Sequence, residues 1–262
     1  MSNSLVSIIT PTYNCGRFIE ETIKSVQAQT YTEWEMIISD DCSTDDTREV
    51  IAPYLESDPR IKYICNEKNS GAAITRNNAL KVAKGRWIAF LDSDDLWLPE
   101  KLERQIRFME ENGYAFSYTE YSEINEKSEE LGVKVSGPKK ITKWGMYGYC
   151  WPGCLTVMYD ADVVGLIQIE DIKKNNDYAM WLKVILKADC FLYKENLARY
   201  RKRGGSISNH SYKALVNWHY KLFREADHRG KIASVFLTGG NMVLGVIKKI
   251  FYVKHLNRYE GI

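Results

Sequence analysis

Four short polar segments hold most of the side chains able to do chemistry: PTYNCG at 11–16, DDCSTDD at 40–46, NSGAA at 69–73 and DSDD at 92–95. In the last, Asp92, Asp94 and Asp95 repel one another unless something positive sits among them, and Ser93 lies between them. Carboxylate oxygens suit Mg²⁺ or Mn²⁺, and few protein ligands are needed when a bound diphosphate supplies the rest. The competing reading is a solvated turn whose last Asp caps the next helix. In DDCSTDD, Asp45 or Thr44 reads as a helix N-cap, whereas Asp40 and Asp41, at a strand end, can accept from a nucleobase N–H or from ribose hydroxyls. Pro11, Thr12 and Tyr13 follow the first strand; Tyr13 either stacks on a base or is an ordinary half-buried tyrosine. Arg76, near the start of the helix after NSGAA, is a surface arginine or a bidentate phosphate donor at a helix N-terminus. Asp177, in NNDYAMWLK, caps a helix or serves as a general base toward an acceptor hydroxyl. Trp181 lies on the same helical face and fits core packing better than a pocket wall. Neither GxGxxG nor GxxxxGK[ST] occurs, so dinucleotide and P-loop readings lose support.

Those segments must be held by regular elements. Apolar runs at Leu5–Thr10 (ending at Pro11), Trp34–Ser39, Arg60–Cys65 and Trp87–Leu91 read as buried strands, and Tyr114–Tyr121 alternates like a strand. Helical spacing covers 18–29, 44–55, 72–83 (with Gly85 as a stop) and 99–112, where Pro99 opens the first turn. A βαβ rhythm implies parallel strands joined by crossover helices, and ligands of such sheets bind beyond the carboxyl ends of the strands. The four polar segments all fall there, which predicts one shared site. Beyond them, 123–138 reads as a solvated loop or lid, 155–159 and 190–193 as strands, and 177–186 and 211–227 as helices.

The chain has 262 residues, 45% hydrophobic and 27% charged, as in ordinary globular proteins. The N-terminal residues lack a basic region ahead of an apolar core, so a secretory signal is not expected. Six scattered cysteines form no CxxC pair, which argues against a zinc ribbon and for a reduced, cytoplasmic setting. Thirteen Lys and Arg between 199 and 262 face only Glu225, Asp227 and Glu260, so the tail is strongly basic and the body acidic. Such a tail suits a polyanion: phosphates, an anionic membrane or nucleic acid. Nucleic acid is not expected, because the aromatics do not interleave with the basic residues in any RNA-binding motif. Residues 232–247 carry no charge but are shorter than a spanning helix requires. They read as an interfacial helix, a subunit contact driving self-assembly, or a helix packed on its own core.

The stretches VSIITPTYN, EMIISDDCSTDDT, NSGAAITRNNAL, IAFLDSDDLWLPEKL, NDYAMWLK and YRKRGGSIS, in that order from Leu5 to Ser208, resemble the family 2 inverting glycosyltransferases. The first five, with GCLTVMYD at 153–160, look most like bacterial teichuronic-acid and other surface-polysaccharide glycosyltransferases. The resemblance implies a GT-A fold: an α/β domain with a mostly parallel central sheet flanked by helices, over 1–210. Residues 1–122 would form the nucleotide-binding half, 123–210 the acceptor and catalytic half, and 211–262 a basic helical extension. It implies a nucleotide-diphosphate donor, a UDP-sugar, and a lipid-linked or protein-linked glycan acceptor. It puts Pro11, Thr12 and Tyr13 at the nucleoside, Asp41 on uracil, Arg76 near the nucleotide, and Asp92 and Ser93 near the ribose. Asp94 would be the ligand of Mn²⁺ or Mg²⁺, and Asp177 the catalytic base. Two positions depart from the pattern. Asn176 stands where the family often has a Glu, and Arg203 where it often has a His; an Arg cannot ligate a metal but can grip a diphosphate. Donor choice is expected to depend on the surroundings of Gly153 and Cys154 and on 123–152. The work would be done in the cytoplasm, at the inner face of the membrane. The alternative is a nucleotide-sugar-binding partner that has lost catalysis; the presence of both Asp94 and Asp177 favours an enzyme.

Overall fold

The computed structural model describes residues 4–204 and 212–256. In chain order the elements are β1 (Val6–Thr12), α1 (Gly16–Gln27), β2 (Trp34–Asp40), α2 (Thr47–Ser57), β3 (Ile61–Cys65), α3 (Ala72–Val82), β4 (Trp87–Phe90), β5 (Leu96–Trp97), α4 (Lys101–Asn112), β6 (Phe116–Ile124) and β7 (Glu130–Val135). There follow β8 (Lys140–Ile141), α5 (Lys143–Gly148), β9 (Met158–Asp160), α6 (Ala161–Val164), α7 (Asn176–Val184), β10 (Cys190–Arg201), α8 (Tyr212–Lys221), α9 (Lys231–Phe251) and β11 (Val253–His255).

The sheet runs β11-β7-β6-β9-β4-β1-β2-β3, with β10 beside β6. β4, β1, β2 and β3 pair in parallel, as their crossover helices require. The short β9 is antiparallel to both β4 and β6, so β6 points the same way as β4, and β10 is parallel to β6. Period-two alternation sorts the apolar residues onto two faces. Ile8, Met36, Ile38 and Ala89 pack with Ile23 of α1, Ile51 of α2 and Leu102 of α4. Ile9, Ile37, Ile88 and Phe90 pack with Leu80 of α3 and Trp181 of α7. Trp181 is fully buried, its ring 4.9 Å from Phe90 and edge-on to it, so it is a core residue.

Several elements differ from the sequence expectations. β1 continues through Pro11 to Thr12. The carbonyl of Ile9 accepts from Leu91 on the β4 side, and Pro11, two residues on, faces the same side beyond the last β4 pair; its missing N–H costs no ladder bond. Residues 123–138 are not a loop or lid: β6 extends to Ile124 and forms a hairpin with β7. The outer strand is partly solvated and reads as polar in sequence. The Asn125 side chain accepts from the N–H groups of Lys127 and Glu129 to make the turn. Residues 154–156 form a single 3₁₀ turn before β9, and the strand expected at 190–193 runs on to Arg201. The helix expected at 211–227 is α8 followed by a π-helical turn at Leu222–Ala226, with residue 211 outside the described residues. The uncharged run at 232–247 is part of a 21-residue helix, long and apolar enough to cross a membrane by length and composition. β11 joins the same sheet through β7. All six cysteines are free thiols.

Trp181→Ala should remove the aromatic contact with Phe90 and open a cavity between α7 and the sheet, costing about 3–5 kcal/mol. The check is a lower urea midpoint at unchanged m-value.

Candidate active site

At the carboxyl rim of the parallel strands, the polar segments brace one another. Gly16 starts α1 against the loop before α2; a Cβ there would lie 2.0 Å from Asp46 Oδ1. The Gly16 N–H donates to Asp45 Oδ2 (3.1 Å), and Asp45 Oδ1 accepts from the N–H and hydroxyl of Thr47. The N-cap position of α2 is Asp46, so neither Asp45 nor Thr44 is the cap, but Asp45 tethers the first helical residue from one position before the cap. Asp40 accepts from the N–H and hydroxyl of Ser43 and from the Tyr63 hydroxyl (2.6 Å). Asp41 is buried; its Oδ1 accepts from Asn66 Nδ2 (2.8 Å) and the Ser70 N–H (2.7 Å), and its Oδ2 from the Gly71 N–H (2.8 Å). Gly71 has φ of +85°, which few other residues adopt, so its N–H can turn back to Asp41 before α3 begins. Thr12 is buried, with its hydroxyl lacking a hydrogen-bond partner among the described residues, and Tyr13 is exposed beside it.

The DSDD turn is clamped by α1 on one side and by Arg201 at the end of β10 on the other. Thr22 Oγ1 of α1 donates to the carbonyls of Ser93 (3.0 Å) and Asp95 (2.9 Å), and Cys15 Sγ lies 3.3 Å from the Ser93 carbonyl. The Arg201 N–H donates to Asp95 Oδ1 (2.8 Å), and its guanidinium donates to the Asp94 carbonyl (2.7 Å), Glu21 Oε2 (2.9 Å) and Ser128 Oγ (2.8 Å). The Phe18 ring lies 5.0 Å from the Arg201 guanidinium and 5.7 Å from that of Arg203.

Two arginines balance the acidic side chains. Arg203 Nε meets Asp94 Oδ2 at 2.5 Å. Arg76 Nη2 meets Asp92 Oδ1 at 2.8 Å, and its Nη1 donates to Asn176 Oδ1. Arg76 is buried against Cys154 Sγ (3.7 Å) with its Nε unpartnered. Burial opposes its charge, but Cys154, Asp92 and Asp177 hold its pKa above the ordinary value. Burial pushes the Asp94 carboxyl up; Arg203 opposes this and Asp92 adds to it. Asp95 is driven further up by burial and by the charges of Asp94 and Asp92. Asp177, at the first turn of α7, is raised by burial and Asp92 against the pull of Arg76 and of the Tyr178 N–H.

The fold therefore gathers Thr12, Tyr13, Asp41, Arg76, Asp92, Ser93, Asp94, Asp177 and Arg203 around the rim, with Pro11 on the same strand end. Asp41 also braces the loop before α3, and Asn176 supplies Arg76 with a neutral acceptor in place of a carboxylate. Sequence reasoning missed Arg201. It stands two residues from Arg203 in YRKRGGSIS, of which 205–208 lie outside the described residues, and nothing in its type separated it from a surface arginine. Among the described residues no group of three or more His, Cys, Asp or Glu converges as a metal cluster. A hard divalent cation would be held here through Asp94, in place of its pairing with Arg203, with phosphate oxygens completing its shell.

The model of glycosyl transferase family 2 matches residues 7–147. TuaG of Bacillus subtilis (strain 168), named for teichuronic acid biosynthesis, is 44% identical over 224 residues, 85% of this chain and 88% of TuaG. The Escherichia coli protein WfgD, named as a UDP-Glc:α-D-GlcNAc-diphosphoundecaprenol β-1,3-glucosyltransferase, is 37% identical over 262 residues, 97% of this chain and 99% of that one. Among solved structures, S. aureus TarS 1–349 in complex with UDP-GlcNAc superposes with a TM-score of 0.67 at 22% identity, over 90% of this chain and 70% of that one. The mannosyltransferase PcManGT of Pyrobaculum calidifontis, in complex with GDP-Man and Mn²⁺, gives 0.63 at 16% identity, over 95% and 72%.

Arg201→Ala should leave the carbonyls of Asp94, Asn125 and Glu126 without their side-chain donor and cost about 1–3 kcal/mol, seen as a lower thermal midpoint. Arg201→Lys should recover little of it, because a point charge cannot replace the planar fork.

Proposed function

The chain belongs to glycosyl transferase family 2, and on that premise we propose that it is an inverting glycosyltransferase acting in bacterial surface-polysaccharide assembly. The donor is a UDP-sugar and the acceptor a hydroxyl of a lipid-linked glycan. The observation that carries the reading is the juxtaposition at one sheet rim of Asp177, of raised pKa, with two arginine–aspartate pairs. The UDP-GlcNAc complex of TarS supports the donor class, and the diphosphoundecaprenol in WfgD's name supports the acceptor class. Residues 1–210 carry this chemistry, in the cytoplasm, and 211–262 form the extension beside it.

In the reaction the acceptor oxygen bonds to the anomeric carbon as the bond from that carbon to the diphosphate breaks on the opposite face. The electron pair leaves with UDP, and the acceptor proton passes to Asp177. One protein carboxylate suffices, and in-line attack inverts the centre, unlike the paired carboxylates of glycosidases. Burial raises the Asp177 pKa, which makes it a better proton acceptor than an exposed aspartate. Arg76 keeps Asp177 ionised enough to act and lies ready for the negative charge of the nucleotide. Asp41 already accepts three N–H groups; an ionised carboxylate has lone-pair capacity for about one more, the uracil N3–H. Tyr13 stacks on the base, Pro11 and Thr12 border it, and Asp92 and Ser93 flank the ribose. Asp94 would hold Mn²⁺ or Mg²⁺, which when bound neutralises charge on the leaving diphosphate. Arg203, paired with Asp94 before the donor arrives, turns its guanidinium to the diphosphate.

Asp177→Asn should cut turnover by about 10²–10⁴-fold with the donor KM little changed, measured as UDP release from a donor panel with and without Mn²⁺. Because Asp177 must be ionised and its pKa is raised, turnover should fall toward acid with a limb above the ordinary aspartate range. Asn176→Glu, which adds a negative neighbour, should move that limb to higher pH. Arg203→Ala should weaken donor binding by about 10–100-fold, the worth of a charge-assisted phosphate contact; unchanged affinity and turnover would exclude its role at the diphosphate.

A further inference from the structure

α9 is built inside out. A helix on a globular surface buries its apolar stripe and exposes its polar one. Here the residues of the packed face that are fully buried are polar, Ser234, Thr238 and Asn241, with only Leu237 and Leu244 adding apolar contact beside them. The opposite face carries Ile232, Val235, Phe236, Val243, Val246 and Ile250, all exposed, with Ile232 at 75% and Phe236 at 77%. Steps of about 100° per residue gather these six into one stripe about 100° wide. A cavity of about 550 Å³ between α8 and α9, lined by Val216, Tyr220, Val235 and Met242 with Lys213 among them, extends the apolar surface.

From this face we infer that α9 lies in the plane of an anionic lipid bilayer, with its stripe in the headgroup–acyl boundary. The charges select this occupant. No acidic residue occurs from 228 to 256, whereas Lys231 and Lys249 are exposed at either end of the stripe and Lys254 just beyond. A two-fold contact with a second copy would set the same lysines of both copies against each other without partners, whereas anionic headgroups neutralise them. A membrane-crossing orientation would strip α9 of its packing. Asn241 Nδ2 donates to the Tyr147 carbonyl (3.1 Å) and the Tyr178 hydroxyl (3.2 Å), and Lys248 Nζ to the Trp151 carbonyl (2.8 Å).

The same bonds join the surface to the chemistry. Tyr178 follows Asp177 in α7, and its hydroxyl also donates to the Met146 carbonyl (2.6 Å). α9 therefore holds the helix of the proposed base at a set height above the lipid. This deepens the proposed function and rests on it only for the statement that the acceptor is lipid-borne; the docking itself stands on α9.

The test is co-sedimentation of the full chain with phosphatidylcholine vesicles, with and without phosphatidylglycerol. A variant carrying Val235→Ser, Val243→Ser and Ile250→Ser alters only exposed positions, and its thermal midpoint checks the fold. The wild type should bind anionic vesicles about 30–150-fold more tightly than neutral ones, as expected for two or three lysines near the surface, and the variant should lose at least about tenfold. A second variant, Lys231→Glu with Lys249→Glu, should abolish the preference for anionic lipid. The wild type left in the supernatant with both vesicles, equal binding to both, or a stable dimer that the Ser variant dissociates would each overturn the inference. UDP release with a short soluble acceptor should be the same in wild type and Ser variant. Its failure in both would remove the transferase reading while leaving the vesicle result to be judged by itself.

Discussion

Crowded negative charge at the carboxyl rim of a parallel sheet is the constraint around which the molecule is arranged. Asp92, Asp94 and Asp95 occupy one turn, Asp177 approaches from α7, and burial raises the cost of the charges of Asp94, Asp95 and Asp177. Arg76 and Arg203 meet that cost directly, each on one carboxylate. Arg201 meets it indirectly, by fixing the backbone of the turn and donating its own N–H to Asp95. A rim so balanced is held together by its own cations.

The arginines come from distant parts of the chain. Arg76 stands on α3 behind the third strand, while Arg201 and Arg203 stand at and beyond the end of β10, more than a hundred residues away. β10 reaches the rim because it runs parallel to β6, and β6 points the same way as β4 across the short β9. The hairpin of β6 and β7 supplies the turn whose Ser128 and carbonyls receive the Arg201 guanidinium. The second half of the chain thus acts as a clamp on the first. Asn176 gives Arg76 a neutral acceptor, so its ion pair is the one with Asp92, and Asp177 of α7 adds to the charge around it.

The first hundred residues were legible because their strands are buried on both faces and their helices are amphipathic. Uninterrupted apolar runs such as MIIS and WIAF, separated by helical spacing, leave few other ways to hide the side chains. The turns at their ends were legible from Asp, Asn, Ser and Gly alone. The hairpin at 116–135 was not, because its turn and the start of β7, NEKSEE at 125–130, are polar and β7 is only partly buried. The extent of β10 was hidden by the irregular pairing between Tyr193 and Ala198, which breaks its alternation.

Residue types and spacing were enough to determine that carboxylates gather at strand ends, that Asp94 and Asp177 are candidates for chemistry, and that the last quarter of the chain is basic. They determine these because local periodicity and charge are properties of neighbours in sequence. Tertiary structure alone decided which arginine meets which aspartate, that Trp181 is core, that Asp41 also braces the loop before α3, and that α9 turns its apolar stripe outward. Each of those depends on pairing between residues far apart in the chain, and a face has no inside or outside until the partner that covers it, or fails to, is in place.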